Sequence, residues 1–307
     1  PAETLRIGWA SADITPDRPA VLGGMPWART TDGVMDQLTA TALALETVPP
    51  DRAPEHVILV SCDLRSIRDG LRDALRENLA AALPGLDPLA VILNATHTHS
   101  APPLGEFGIE LDGMSEAEYQ EFVLPRLAQA VRTAWESRQP GGISFGLGHA
   151  VVGRNRLTAY STGRSKIYGS TGRETFSHIE GYEDHAVNLL YTWDAQDRLT
   201  GVLINIAAPS QISRSSTQLS ADFWHDTRLA LRRELGPNLF VLPQCSAAGD
   251  QDTNILWAQK AEERMMKLAG RNLRQELAER LTRAVTSILP LMQQNIERQP
   301  VLRHELR

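Results

Sequence analysis

At 307 residues, with 42% hydrophobic and 22% charged residues, the chain can bury a large core, as one big domain or two smaller ones. Its formal charge is -6 at pH 7 and its basic residues are interspersed with acidic ones, which excludes the basic footprint of a nucleic-acid-binding protein and a polybasic membrane anchor. No apolar run approaches the roughly 20 residues that cross a bilayer, and the N-terminus has no charged-then-apolar signal pattern, so the expectation is a soluble protein, cytoplasmic in preference to secreted, with export left open because the chain begins at Pro1.

Strand-like apolar runs fall near 5–10, 39–47, 56–62, 89–95, 143–152, 186–193, 198–206 and 238–245, several of them continuous runs of the kind buried on both faces of a sheet. Helical patterns occupy about 66–82, 115–137, 222–235 and 258–288. Ser115 followed by Glu118 spells a capping box, and Asp222 can cap the third helix. Asp194-Ala195-Gln196-Asp197 joins two strands as a hairpin, which makes the sheet mixed. The predicted fold is α/β, a mixed and mostly buried sheet flanked by helices, with a site at the strand ends. Two long irregular segments, about 11–36 and 153–184, are of a length that is functional or disordered in a compact domain. No internal repeat is visible. Cys62 and Cys245 lie in strand-like runs and read as buried small thiols, with no disulfide framework. Gly142-Ile143-Ser144-Phe145-Gly146 spells a nucleophile elbow, but the alternating Ile143, Phe145 and Leu147 favour an uninterrupted strand.

Chemistry concentrates at Asn94-Ala95-Thr96-His97-Thr98-His99-Ser100, where an apolar run delivers two imidazoles two residues apart. On an extended chain His97 and His99 point the same way and can meet one ion or one substrate group. Neutral imidazole is the commonest metal ligand and suits zinc, although two polar residues at a strand end is the plain alternative. A glycosylation sequon at Asn94 is discounted, because a glycan there would block the paired histidines. Other polar clusters follow strands at Ser61-Cys62-Asp63, at Ala208 to Gln211, at Ser220 to His225 and at Cys245 to Asp252.

Ala12-Asp13-Ile14-Thr15-Pro16, Val60 to Leu64, Asn94 to Ser100, Asn155-Arg156 followed by Tyr160, and Ala247-Ala248-Gly249-Asp250 occur in the order seen in neutral/alkaline non-lysosomal ceramidases. The chain resembles their N-terminal catalytic domain over nearly all of its length, as a single domain spanning residues 1–307. The resemblance implies a zinc-dependent amidase acting on a small-molecule or lipid-like N-acyl substrate. By it, His97 matches a zinc ligand, His99 a residue facing the substrate, and Arg156 an arginine that helps hold the substrate's polar groups. A long acyl group would need an apolar groove, for which Trp27, Phe107, Tyr160, Phe223 and Trp224 are candidates by loop position, with Tyr160 taken as substrate-binding.

Departures from the family pattern are equally specific. Ala208 stands where the family has a second zinc-binding histidine, and Gly249-Asp250-Gln251-Asp252 stands where ceramidases carry Gly-Asp-x-Ser. Met35-Asp36 replaces a His-Asp pair. The family's remaining metal ligands, a glutamate and a tyrosine, would follow residue 307, so the chain reads as C-terminally incomplete relative to that pattern. His225, in the first turn of the third helix, is the imidazole expected to compensate as a metal ligand, against the alternative of a locally bonded helix-terminal histidine. His178 and His185 are further candidates, while His56 and His149 read as structural or exposed. Asp252 is expected to ligate the metal or act as general base, within about 6 Å of the two ring nitrogens, against the alternative that Asp250 and Asp252 brace a turn. A degenerate family member that binds a ligand or partner without turnover is the competing account. Oligomeric state is left open.

Overall fold

The computed structural model of the chain describes residues 4–27, 29–49, 53–105 and 111–305. Eight strands, β1 (Thr4–Asp13), β2 (Thr39–Val48), β3 (Glu55–Cys62), β4 (Val91–Ala95), β5 (Gln139–His149), β6 (Ala186–Asp194), β7 (Leu199–Ile206) and β8 (Phe240–Cys245), form one mixed sheet. Its order is β8-β7-β6-β5-β1-β2-β3-β4. Each apolar run of the sequence is one of these strands. The fifth begins at Gln139 and ends at His149, earlier at both ends than the pattern indicates.

The order reads the same from either edge. Each half runs through two antiparallel pairings and then a parallel one, β1-β2-β3-β4 and β5-β6-β7-β8, with a helix crossing between the last two strands. These crossings are α1 (Asp69–Ala82) and α3 (Phe223–Leu235), and α2 (Glu116–Glu136) follows the first half as α5 (Leu273–Gln293) follows the second. The topology therefore repeats although the residues do not. Both long irregular segments occupy the same place, between the first and second strand of a half, and the later one carries a small sheet of Leu157–Tyr160, Ser165–Ile167 and Phe176–Ile179.

Only two residue pairs, Arg6 with Pro140 and Ile7 with Gln139, join β1 to β5. There the sheet folds over. Leu5, Ile7, Trp9, Leu43 and Leu45 of one half pack against Ile143, Leu190, Leu203 and Leu242 of the other, with Trp9 stacked on Phe240 at 5.5 Å between ring centroids. Helices α1 and α2 cover the outer face of the first half, and α3 and α5 that of the second, which is why most strands are apolar on both faces. Gly8 permits the closest of these approaches, since a Cβ there would fall 1.9 Å from the Ala134 carbonyl oxygen on α2.

Local chemistry sets the helix ends. Ser115 and Glu118 form the expected capping box, and Asp222 accepts from the Phe223 N–H at the start of α3. The single helix expected over 258–288 is two, α4 (Gln259–Leu268) and α5, because Gly270 at φ 65 stops the first and Asn272 with Gln275 caps the second. Ser144 lies within β5, its Oγ accepting from the Trp193 ring N–H at 2.9 Å, so the Gly-x-Ser-x-Gly sequence is a strand and no elbow. Among the described residues no helix is long and apolar enough to cross a membrane.

Candidate functional site

The two halves of the sheet meet again at the ends of β4 and β8. Asn94 donates from Nδ2 to the Cys245 carbonyl at 3.4 Å and accepts the Cys245 N–H at 3.3 Å. Just beyond this contact lies the Thr-His-Thr-His-Ser segment, in which the two kinds of residue do different work. Thr98 Oγ1 donates to the Ser220 carbonyl at 2.8 Å and Ser100 Oγ to that of Ser213 at 2.9 Å, while Ser210 Oγ donates to the Thr96 carbonyl at 2.9 Å. These buried hydroxyl bonds anchor the loop and leave the imidazoles at its open side.

His97 and His99 do converge, but not by strand alternation. The strand ends at Ala95, and His97 has φ 61, so a turn brings the rings together, edge to face at 4.8 Å. His97 Nδ1 lies 2.7 Å from the Arg65 carbonyl, which can only accept, so Nδ1 carries the proton and Nε2 of the neutral ring is bare. That Nε2 faces His99 Nε2 at 3.2 Å. The other edge of the His99 ring is closed by Gly24, at φ 94, where a Cβ would sit 2.5 Å from the ring.

Both rings are held neutral. Burial lowers the His97 pKa, only partly opposed by its bond to the Arg65 carbonyl, and burial followed by the nearness of His97 and of the Arg65 cation pushes His99 down to about 3. The unfolded chain takes up the His99 proton near pH 6.5, the folded chain only near 3. Stability of the protein in chelator is therefore expected to fall as pH drops between those values, by at most about 1.4 kcal/mol per pH unit from this group. Urea unfolding at pH 7 and pH 4.5 checks this, and His99→Gln should flatten the slope.

His97 opens on a cavity of about 210 Å³ whose lining also includes Arg156, Pro209, Gln211, Cys245 and Gly249. Arg156 lines the same cavity as His97, with its guanidinium donating to the Gly249 carbonyl at 2.7 Å and the Tyr168 hydroxyl at 3.0 Å. Gln211 lines the cavity as well. It belongs to a polar cluster the sequence marks without a role, it is buried, and its amide lies 3.0 Å from His99 Nε2. Cys245 is half-buried, not fully buried as expected, and its thiol is pushed up to about 11 by burial.

Other expected site residues do not line this cavity. Asp252 is fully buried and does not line the cavity, because its carboxylate accepts from Arg214 at 3.0 Å, from the Tyr168 hydroxyl and from the Asn254 N–H at 2.9 Å. It accepts a backbone N–H as the turn-bracing alternative has it, and it also lies near enough to His97 for its charge to raise that pKa. Asp252→Asn is expected to weaken the charged bond to Arg214 and lower stability by about 1.5–3 kcal/mol, measured by urea titration. His225 falls on the outward side of α3, whose buried face is taken by Phe223, Trp224, Thr227 and Arg228, and it neither lines the cavity nor meets the paired imidazoles. Tyr160 bonds the Ser170 carbonyl in the small sheet, and the aromatic beside Arg156 is Tyr168 instead. His178 is exposed in that small sheet, His185 sits 3.2 Å from Glu183, and His56 accepts the Asp87 N–H against Trp135. Phe223 and Trp224 are core residues and line no groove, Trp27 is exposed, and Phe107 lies outside the described residues. Ala208 is buried in the core beneath the loop. Among the described residues no third histidine, cysteine or carboxylate joins the imidazole pair.

No family model and no curated protein sequence matches the chain. Solved structures do. The neutral ceramidase from Pseudomonas aeruginosa superposes with a TM-score of 0.73 over 95% of this chain and 46% of that one, at 18% identity. The fold is ceramidase-like. A ceramidase complexed with C2 gives a TM-score of 0.70 over 94% of this chain and 44% of that one, again at 18% identity. The chain thus spans less than half the length of the ceramidase chains it matches, and what it shares with them is the ceramidase-like fold.

Proposed function

We propose that the chain is a ceramidase-like, zinc-dependent hydrolase that splits an amide bond of a small or lipid-like N-acyl substrate, with His97 and His99 as metal ligands. The observation that carries this is the 3.2 Å separation of His99 Nε2 from His97 Nε2, the latter on a ring that lines the cavity. Two nitrogens each about 2.0–2.1 Å from one tetrahedral zinc stand roughly 3.3 Å apart, so the pair fits two corners of such a shell. The Arg65 carbonyl on His97 Nδ1 supports the fit, since a metal-bound imidazole is held by a hydrogen bond at its other nitrogen. Both rings are in the neutral form that ligation requires. When bound, zinc lowers the pKa of a coordinated water to about 7 and polarises a carbonyl oxygen.

The remaining work falls to the chain's own groups. Arg156, clamped by Gly249 and Tyr168, offers fixed donors to an oxygen that gains negative charge as the amide is attacked. Asp252 keeps Tyr168 and Arg214 in place behind it and so positions the cavity wall. Metal analysis of the purified chain together with turnover of an N-acyl amide series tests the reading. Stoichiometric zinc, lost with activity in His97→Ala, is the expected result, and full activity in metal-free protein would sink it. Ala208 in place of an imidazole, and the two-histidine set, favour one competing reading, a family-like binder without turnover. That reading predicts saturable binding of an N-acyl amide with no hydrolysis at any zinc concentration.

A further inference from the structure

We infer that the cavity beside His97 is an oxyanion site, in which Arg156 holds a carboxylate or phosphoryl group that the substrate carries close to its amide. The substrate class rests on the hydrolase reading above, whereas the anion contact itself needs no metal.

The charge of the lining carries the inference. The chain is acidic, with 37 aspartates and glutamates against 31 lysines and arginines, yet among the described residues no carboxylate lines this cavity. Of that lining Arg156 alone carries a formal charge at neutral pH. The Cys245 thiol is pushed up to about 11 by burial, and burial also keeps the His97 ring neutral. The two carboxylates that follow Gly249 are spent elsewhere. Asp250 accepts from the Asn155 and Gln251 side-chain amides, each at 3.0 Å, and Asp252 accepts from Arg214 and from the Tyr168 hydroxyl.

Arg156 thereby differs from the arginines around it. Arg154 pairs with Glu262, and Arg214 pairs with Asp252 at 3.0 Å. Among the described residues Arg156 meets only neutral acceptors, its Nη1 donating to the Tyr168 hydroxyl and its Nη2 to the Gly249 carbonyl, and each of these nitrogens keeps a second N–H. One can serve the oxygen that gains charge during attack; the other is left for a group that is charged from the start. The backbone N–H groups of Ala248 and Gly249, in the same lining, donate to no acceptor among the described residues. A guanidinium with neutral partners keeps an unmatched charge, and an oxyanion both cancels it and accepts several N–H groups at once. Arg65 and Arg214 add charge of the same sign around the imidazole pair, and Asp252 opposes it at His97.

Size narrows the ligand. About 210 Å³ is less than the roughly 300–1,000 Å³ of pockets that enclose a drug-sized molecule, so the cavity takes a head group and leaves an acyl chain outside. His97 and Arg156 share this small space, which puts the anion within a few bonds of the amide. An N-acyl amino acid carries its charge at that distance, and a neutral N-acyl amino alcohol carries none.

Calorimetric titration of the full chain with N-hexanoylglycine and with its neutral counterpart N-hexanoylethanolamine tests this, in chelator and again with zinc. Hexyl phosphate is the third probe. Wild type in chelator should bind the acylglycine at least about tenfold more tightly than the ethanolamine amide, the scale of one charge-assisted hydrogen bond. Arg156→Gln, with a melt to verify folding, should bring that ratio below about threefold, and the wild-type ratio should itself shrink between about 0.05 and 0.5 M salt. Tighter binding of hexyl phosphate than of the acylglycine supports the site and assigns it to a phosphoryl group. Equal binding of acid and neutral amide, binding of neither, a wild-type preference indifferent to salt, or one that survives in Arg156→Gln overturns the inference. Zinc-dependent hydrolysis that treats both amides alike also overturns it and leaves the hydrolase reading standing. A carboxylate preference with no hydrolysis at any zinc concentration removes the hydrolase reading while the anion site stands.

Discussion

Arg228→Met is expected to lower folding stability by about 3–5 kcal/mol, because it leaves a buried carboxylate without its cation. Asp63 is fully buried at the end of β3, and Arg228 of α3 meets it with two nitrogens, at 2.7 and 3.1 Å, while the Thr39 N–H donates to the same carboxylate at 2.8 Å. The pair ties the first half of the sheet to the crossing helix of the second. Equilibrium urea unfolding reads the effect, and a loss under about 1 kcal/mol would show that the carboxylate finds other partners. Removing both charges together, as Asp63→Leu with Arg228→Met, should recover much of the loss, since an apolar pair of similar volume carries no desolvation penalty.

Trp224→Ala is expected to lower stability by about 3–5 kcal/mol, the range for emptying a large aromatic site in a core that relaxes only partly. Trp224 is fully buried in the second-half core, with Phe223 tilted against it at 5.1 Å between ring centroids. Its indole N–H has no hydrogen-bond partner, so Trp224→Phe should cost much less, roughly 1.5 kcal/mol or below. Thermal and urea unfolding of the two variants decide the matter. If instead Trp224→Ala is stable and fails only to engage an acyl substrate, the residue lines a groove after all.

Strand positions were legible because continuous apolar runs are what a sheet covered on both sides requires, and each of the eight runs is a strand. The fold-over at the Arg6–Pro140 and Ile7–Gln139 pairs was not, since pairing partners leave no mark in local pattern. Nor was the mirrored topology, which is carried by backbone order and not by similar residues. His97 and His99 were found for their spacing, yet their convergence comes from a positive φ that spacing does not encode. Asp252 was ambiguous because a carboxylate in a turn looks the same in sequence whether it lines a cavity or is held by an arginine behind it. His225 could have been set aside earlier, since Phe223, Trp224, Thr227, Arg228 and Leu231 already define the buried face of α3. Gln211 carries no sequence signal of its own: an uncharged amide in a loop becomes informative only once its neighbour is known to be an imidazole.

The paired contact between Asn94 and Cys245 joins positions 151 residues apart, and it sits beside a cavity whose walls come from both halves. Such contacts form late in folding, because the entropy of closing a long loop must be met before the contact returns anything. The cavity is therefore expected to be among the last features to assemble. A ligand that met His97 from one half and Arg156 from the other would recognise only the folded protein. By mass action, saturation at a hundred times its dissociation constant would add about 2.7 kcal/mol to the native state and act as a clasp between the two halves.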